Sequence, residues 1–168
     1  MTGHNPVDRS KLGTKRHVLT DKNGIPLSVA ITPASIHDIK VVTDVVDNEV
    51  VKRPSESDLT KNKGMRKQCQ HLCLDRAYVS KAMERQITHR GYVPHMPHKR
   101  KRGQQQNAKA CEKTDLSVKN KRWVVERTNS WHNRFRKLFT RYEKKAENYL
   151  GLVQLSCSII IYRKIILG

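Results

Sequence analysis

The order of apolar and polar positions resolves most of the chain into short elements. In "GTKRHVLTDKNGIPLSVAIT" (13–32) two apolar runs flank Asn23-Gly24, a dipeptide that favours the tight turns of β-hairpins. Ile25, Leu27, Val29 and Ile31 alternate onto one face, and Pro33 closes the second strand. "HDIKVVTDVVDNEVV" (37–51) then sets Ile39, Val42 and Val46 at helical spacing, which predicts a helix from about Ser35 or Asp38. Its β-branched residues work against that helix. The polar stretch 52–68, with Pro54, Ser55 and Ser57, reads as a loop.

"HLCLDRAY" (71–78) predicts a short strand, with Leu72 and Leu74 on one side and His71, Cys73 and Asp75 on the other. "VSKAMERQITHRG" (79–91) predicts a helix closed by Gly91, and "YVPHMP" a brief strand ended by proline. "HKRKRGQQQNAKA" (98–110) is polar and low in complexity. Two helices are expected beyond it, from about 116 to 141 and from about 146 to 165. On the first, Val124, Thr128, Trp131, Phe135, Leu138 and Tyr142 fall on one apolar face, while Arg122, Glu126, Asn129, Asn133 and Lys137 fall on another. A hairpin (13–32), a strand–helix–strand run (71–97) and C-terminal helices (116–165) make an α/β pattern.

Composition narrows the partners. The 168 residues suit one domain, and 36% hydrophobic content is enough for a modest core. A net charge of +19 attracts polyanions, whatever the fold. The excess is uneven: between Asp38 and Asp58 six acids stand against three bases, so that stretch should lie away from a polyanion. The one long apolar run, "YLGLVQLSCSIIIY" (149–162), is too short to span a bilayer and is followed by Arg163 and Lys164. A buried helix and a nucleic-acid partner are therefore expected, with no membrane. The N-terminus lacks the apolar stretch of a signal peptide, and Cys69, Cys73, Cys111 and Cys157 show no disulfide-scaffold spacing. Together these predict reduced thiols and a cytoplasmic, nucleoid-associated protein.

Two carboxylates stand out. Glu126 sits between Arg122 and Arg127 in "RWVVERTNSWHNRFRKLFTRYE" (122–143), where six Lys or Arg oppose two Glu. Spacing alone reads it as a surface glutamate screened by i,i+4 basic neighbours. Asp75 lies at the carboxyl end of an apolar strand, the edge where open α/β sheets gather ligands, and it could equally cap the next helix. In a polyanion-binding protein the pair suggests divalent-metal phosphoryl chemistry, which relies on hard oxygen ligands. Cys69, His71 and Cys73 share a strand face but lack the further ligands of a zinc site, and "KRKR" (99–102) reads as a solvated basic loop.

"GHNPVDRSKLGTKRHVLTDKNGIPLSV", "ASIHD", "HLCLDRAY" and "RWVVERTNSWHNRFRKLFTRYEKKAENYLGLV" follow one another as in bacterial insertion-sequence transposases. The chain most resembles the insertion-sequence-five group, over nearly its whole length. That resemblance implies a DDE catalytic domain with a ribonuclease-H-like mixed sheet flanked by helices. It implies that Asp75 and Glu126 are the second and third catalytic and metal-holding carboxylates. Mg²⁺ or Mn²⁺, two ions in the complete enzyme, would support endonuclease cleavage at element ends and strand transfer. Double-stranded DNA is then the partner, with self-association or a separate N-terminal transposase part as a further one. Lys15, Arg16, Arg122, Arg127, Asn133 and Arg134 are the expected DNA-binding residues.

In that family the first catalytic aspartate lies on a strand before "GHNP-DR", and the present sequence starts at that segment. The expectation is a C-terminal part of a transposase, lacking the first, central strand, as a truncated copy or a frameshift product, and so one that does not cleave or join DNA by itself. Asp8 and Asp21 do not replace that aspartate by position. The alternatives are a non-catalytic basic DNA-binding fragment or decayed remnant, and a general RNA-binding protein supported by charge alone.

Overall fold

The hairpin forms where the Asn-Gly pair places it. Gly24 adopts φ 84°, a backbone region open to glycine at little cost. Asp21 fixes the same turn, its Oδ1 accepting from the amides of Asn23 (2.9 Å) and Ile25 (2.7 Å). The computed structural model describes residues 2–6, 8–51, 70–96 and 122–167. They fall into two compact units, Met1–Val51 with Trp123–Gly168, and Lys52–Arg122.

In the first unit, β1 (Gly3–His4), β2 (Leu12–Thr20) and β3 (Pro26–Pro33) form an antiparallel sheet in the order β1-β2-β3. Val18 pairs with Val29, and the register slips by one between Leu19 and Thr20. Residues 35–51 depart from the expected single helix. A 3-10 turn, Asp38–Lys40, precedes a six-residue helix, α1 (Val42–Asp47). Five of the eight residues from Ile39 to Val46 are β-branched valine or isoleucine, which limits helix length. Val42, Val45 and Val46 are buried, and α1 packs on β2 and β3.

The C-terminal segment completes this unit. One helix was expected over 116–141; among the described residues there are two, α3 (Arg122–Asn133) and α4 (Arg136–Phe139), taking α2 as the helix of the second unit given below. The break follows from Phe135, whose φ −83° and ψ 106° are extended. The helix expected over 146–165 is α5 (Ala146–Ile165). Leu138, Tyr149 and Val153 form a buried cluster, against which Val29 and Ile31 of β3 pack together with Phe135 and Leu152. Two alternating residues of the hairpin thus share a core with α4 and α5. Arg141 braces the junction, donating to Thr14 Oγ1 and the Glu143 carbonyl (2.8 Å) and lying 5.0 Å from the Tyr149 ring centroid.

The described part of the second unit is a strand–helix–strand motif. β4 (Gln70–Cys73) and β5 (Tyr92–His95) are parallel, with Leu72 opposite Pro94 and Cys73 opposite His95. A parallel pair requires a crossover, and α2 (Lys81–His89) supplies it, packing on β5. Ser80 caps α2, its Oγ accepting from the Met83 amide at 3.2 Å, and Met83 and Ile87 are its buried residues. Gly91, at φ 79°, ends it in the left-handed conformation typical beyond a helix C-terminus. The expected loop 52–68, the low-complexity run 98–110, "KRKR", Cys69, Cys111 and helix positions 116–121 lie outside the described residues. The fold is mixed α/β.

Candidate functional site

Asp75 stands just past β4. The strand's hydrogen bonding runs on through the Leu74 amide, which donates to the His95 carbonyl at 2.9 Å. The chain then turns into a 3-10 helix, Arg76–Tyr78, with Asp75 as its N-cap. Asp75 Oδ1 accepts from the Arg76 amide at 2.5 Å, and its carbonyl accepts from the Tyr78 amide at 3.0 Å. The capping role considered for Asp75 is therefore real. It also holds the half-buried carboxylate at the carboxyl end of a parallel strand.

Glu126 is exposed on α3. The opposite side of the helix is tied down: Val124 and Thr128 are buried, and Thr128 Oγ1 donates to the carbonyl of Gly24 at 2.7 Å. Arg127 Nη2 donates to the Asn23 carbonyl at 2.5 Å. Its guanidinium lies 4.7 Å from the Trp123 ring centroid and 5.1 Å from that of Trp131. The hairpin turn and α3 are thus clasped by two consecutive residues. A single sequence gives no signal of this, since the partners lie 104 positions apart.

Two of the other cations expected to meet DNA also have work within the fold. Lys15 makes an ion pair with Asp38 at 2.8 Å and donates to the Ile36 carbonyl at 2.9 Å. Arg16 Nη2 donates to Asn133 Oδ1 at 2.5 Å. Arg134 is exposed just past α3. Arg122 is the first residue of α3. Lys15, Arg16, Arg127, Asn133 and Arg134 thus belong to the first unit, together with Glu126, whereas Asp75 belongs to the second.

Beneath α3 lies a polar cluster that the apolar stripe did not include. His132 is fully buried, and its Nδ1 is 2.6 Å from Ser156 Oγ on α5. Ser156 Oγ is also 2.7 Å from the Val153 carbonyl. Its hydroxyl proton bonded to that carbonyl leaves a lone pair for a proton on His132 Nδ1. Burial, reinforced by the Arg16 guanidinium, lowers the His132 pKa to about 4. Burial likewise raises the neighbouring Cys157 thiol to about 11. Neither is poised for chemistry near neutral pH. The stripe held at Val124, Thr128 and Leu138 but not at Tyr142, which is 76% exposed because the helix has already broken.

Among the described residues no three His, Cys, Asp or Glu side chains cluster closely enough to hold a metal ion. Asp75 and Glu126 do offer the hard carboxylate oxygens that Mg²⁺ and Mn²⁺ take, so by donor type they fit such an ion. No described helix is long and apolar enough to cross a membrane.

Comparison with known proteins gives the family. Residues 2–161 match the family described as "Transposase DDE domain". Over 165 residues the chain is 30% identical to a Burkholderia cepacia protein named "Putative transposase for insertion sequence element IS402", covering 96% of this chain and 68% of that protein. No solved structure matches significantly. The chain belongs to the DDE-domain family of insertion-sequence transposases.

Proposed function

We propose that this chain acts in DNA transposition, in metal-dependent cleavage at element ends and strand transfer, on a ribonuclease-H-like domain. The observation that carries the reading is the family match over residues 2–161, which includes both carboxylates. Asp75 and Glu126 would hold Mg²⁺ or Mn²⁺, which in phosphoryl transfer activates the attacking oxygen and offsets charge on the leaving one. Asp75 is pre-positioned by its bond to the Arg76 amide. Glu126 stands on a helix whose rotation about its axis is fixed by the Thr128 and Arg127 clasp. Arg122, Arg134 and, beyond their internal bonds, Lys15, Arg16, Arg127 and Asn133 would meet phosphates and orient the strand.

The test is Mg²⁺- or Mn²⁺-dependent nicking of a plasmid carrying the element's ends by this chain and by a form extended upstream, with Asp75→Asn and Glu126→Gln made in the form that nicks. Nicking lost in both variants supports the assignment. Nicking that survives both would remove these residues from the chemistry. A non-catalytic, basic DNA-binding role is the second reading, favoured by the net charge of +19. It predicts DNA binding without nicking under any metal.

A further inference from the structure

We propose that the groove between α4 and α5 receives the acidic tip beyond α1 of a second copy of this chain, so that two copies associate through unlike surfaces of their first units. The proposal is independent of the catalytic reading and involves no DNA.

The groove has an apolar floor of about 200 Å³, with Phe135 and Leu138 on one side and Leu152, Leu155 and Ile159 of α5 on the other. Leu152, Leu155, Ile159, Tyr162 and Ile166 follow one another at steps of three and four. Such steps draw an apolar stripe along a helix, here a second one beside the buried Tyr149, Val153 and Ile160. Leu155, Tyr162 and Ile166 on this second stripe are exposed, and covering them would remove apolar surface from water. Arg136 and Lys137, both exposed, edge the groove, and no acid lines it. A fitting occupant is apolar at its point and acidic around it.

The chain carries such a feature itself. From Val41 to Val51 it has three acids, Asp44, Asp47 and Glu49, and no base, against a net charge of +19 overall. At the end of that stretch Val50 and Val51 are 82% and 63% exposed. The Val50 amide donates to the Leu27 carbonyl at 3.0 Å, which ties the tip to β3. A surface ordered before binding loses less freedom when its partner arrives. Tip and groove both stand open in the same chain, so neither fills the other within it. Two copies at +19 repel, and an acidic tip meeting a cationic rim offsets that repulsion where they touch. None of these side chains is among those assigned to metal or DNA. The two patches differ, so the contact can be rebuilt from two copies that each lack a different half.

The experiment is analytical ultracentrifugation of the DNA-free, 168-residue chain over a range of concentrations, at about 0.3 M salt to screen the net repulsion. The chain should self-associate reversibly. Val50→Asp and Leu155→Glu, both at exposed positions, should each weaken association by about ten-fold or more. Lys137→Glu should weaken it too, while Lys137→Arg should not. An equimolar mixture of Val50→Asp and Leu155→Glu should recover the association that each lacks alone, since one keeps its groove and the other its tip. Circular dichroism checks that the variants fold, and the concentration series on the unaltered chain stands without them. A chain that stays monomeric throughout would overturn the proposal and leave the groove to a different protein. Association lost in Leu155→Glu but untouched by Val50→Asp would also overturn it, in favour of α5 pairing with α5. A mixture that recovers nothing would do the same.

Discussion

Thr128 Oγ1 donates to the carbonyl of Gly24, 2.7 Å away and 104 positions earlier in the chain. The contact leaves no room for a side chain in the turn. A Cβ on Gly24 would lie 2.9 Å from Thr128 Oγ1, 3.1 Å from Arg127 Nη2 and 3.4 Å from Trp131 Cζ3. Two residues along a helix point in nearly opposite directions, so fixing Thr128 inward turns Glu126 outward.

Thr128→Val should therefore destabilise the protein by about 1–3 kcal/mol, because the Gly24 carbonyl loses its donor in a buried setting. Thr128→Ser, which keeps the hydroxyl, should cost less. Gly24→Ala should also destabilise, by more than about 1 kcal/mol, from its positive φ and the close approach of Thr128. Urea unfolding of the three variants measures this. A Gly24→Ala chain as stable as the parent would show that the turn can shift.

Acid should weaken the fold before most carboxylates titrate. An unfolded histidine takes its proton near pH 6.5, whereas His132 in the fold waits until about pH 4. Between those values the unfolded chain binds more protons, so stability is full above about pH 6.5 and falls as pH drops toward 4. The loss is about 3 kcal/mol for the whole shift. His17, also lowered chiefly by burial, acts with the same sign. Unfolding free energies at pH 7.5 and 5.5 test it. Stability should decline less over that interval in His132→Gln.

Asp75→Asn separates capping from chemistry. Asparagine keeps a side-chain oxygen for the Arg76 amide, so the change should cost under about 1 kcal/mol. Metal-dependent nicking should nonetheless fall by two orders of magnitude or more, since a neutral amide is a poor ligand for a hard divalent cation. Equal losses of stability and nicking would indicate that Asp75 is only a cap.

DNA affinity should fall steeply with salt and tolerate sequence changes. Arg134→Gln, at an exposed position, should lower the slope of log affinity against log salt by about one without affecting stability. Arg16→Gln removes the bond to Asn133 and should weaken the fold as well as binding. A flat salt response, or preference for single-stranded RNA over any DNA, would contradict the assignment of the partner.

Local signals were legible in the sequence where the cause is local. Asn23-Gly24 marked the hairpin, Gly91 the end of α2, and the apolar run from Tyr149 the buried face of α5. The strand-end position of Asp75 was readable from "HLCLD", and the basic surroundings of Glu126 from its neighbours. The helix over 35–51 shrank because β-branched crowding outweighed periodicity, and the break at Phe135 had no glycine or proline to announce it. The clasp of Thr128 and Arg127 on the turn, and the His132–Ser156 pair, join residues distant in sequence. No periodicity within one segment encodes such contacts. Charge alone assigned Arg16 and Lys15 to phosphates, and it carried no sign of their internal partners.

The first unit is assembled from two stretches of chain separated by the whole of the second, Lys52–Arg122. Its hairpin leaves the ribosome long before α4 and α5 exist to cover Val29 and Ile31. At roughly 5–20 residues per second, the nascent strands wait about 6–25 s for their core. A message broken anywhere before the codons for Tyr149 and Val153 yields a hairpin whose Val29 and Ile31 lack the cover of α5. Completion of synthesis is thus itself a condition for closing the core of the first unit.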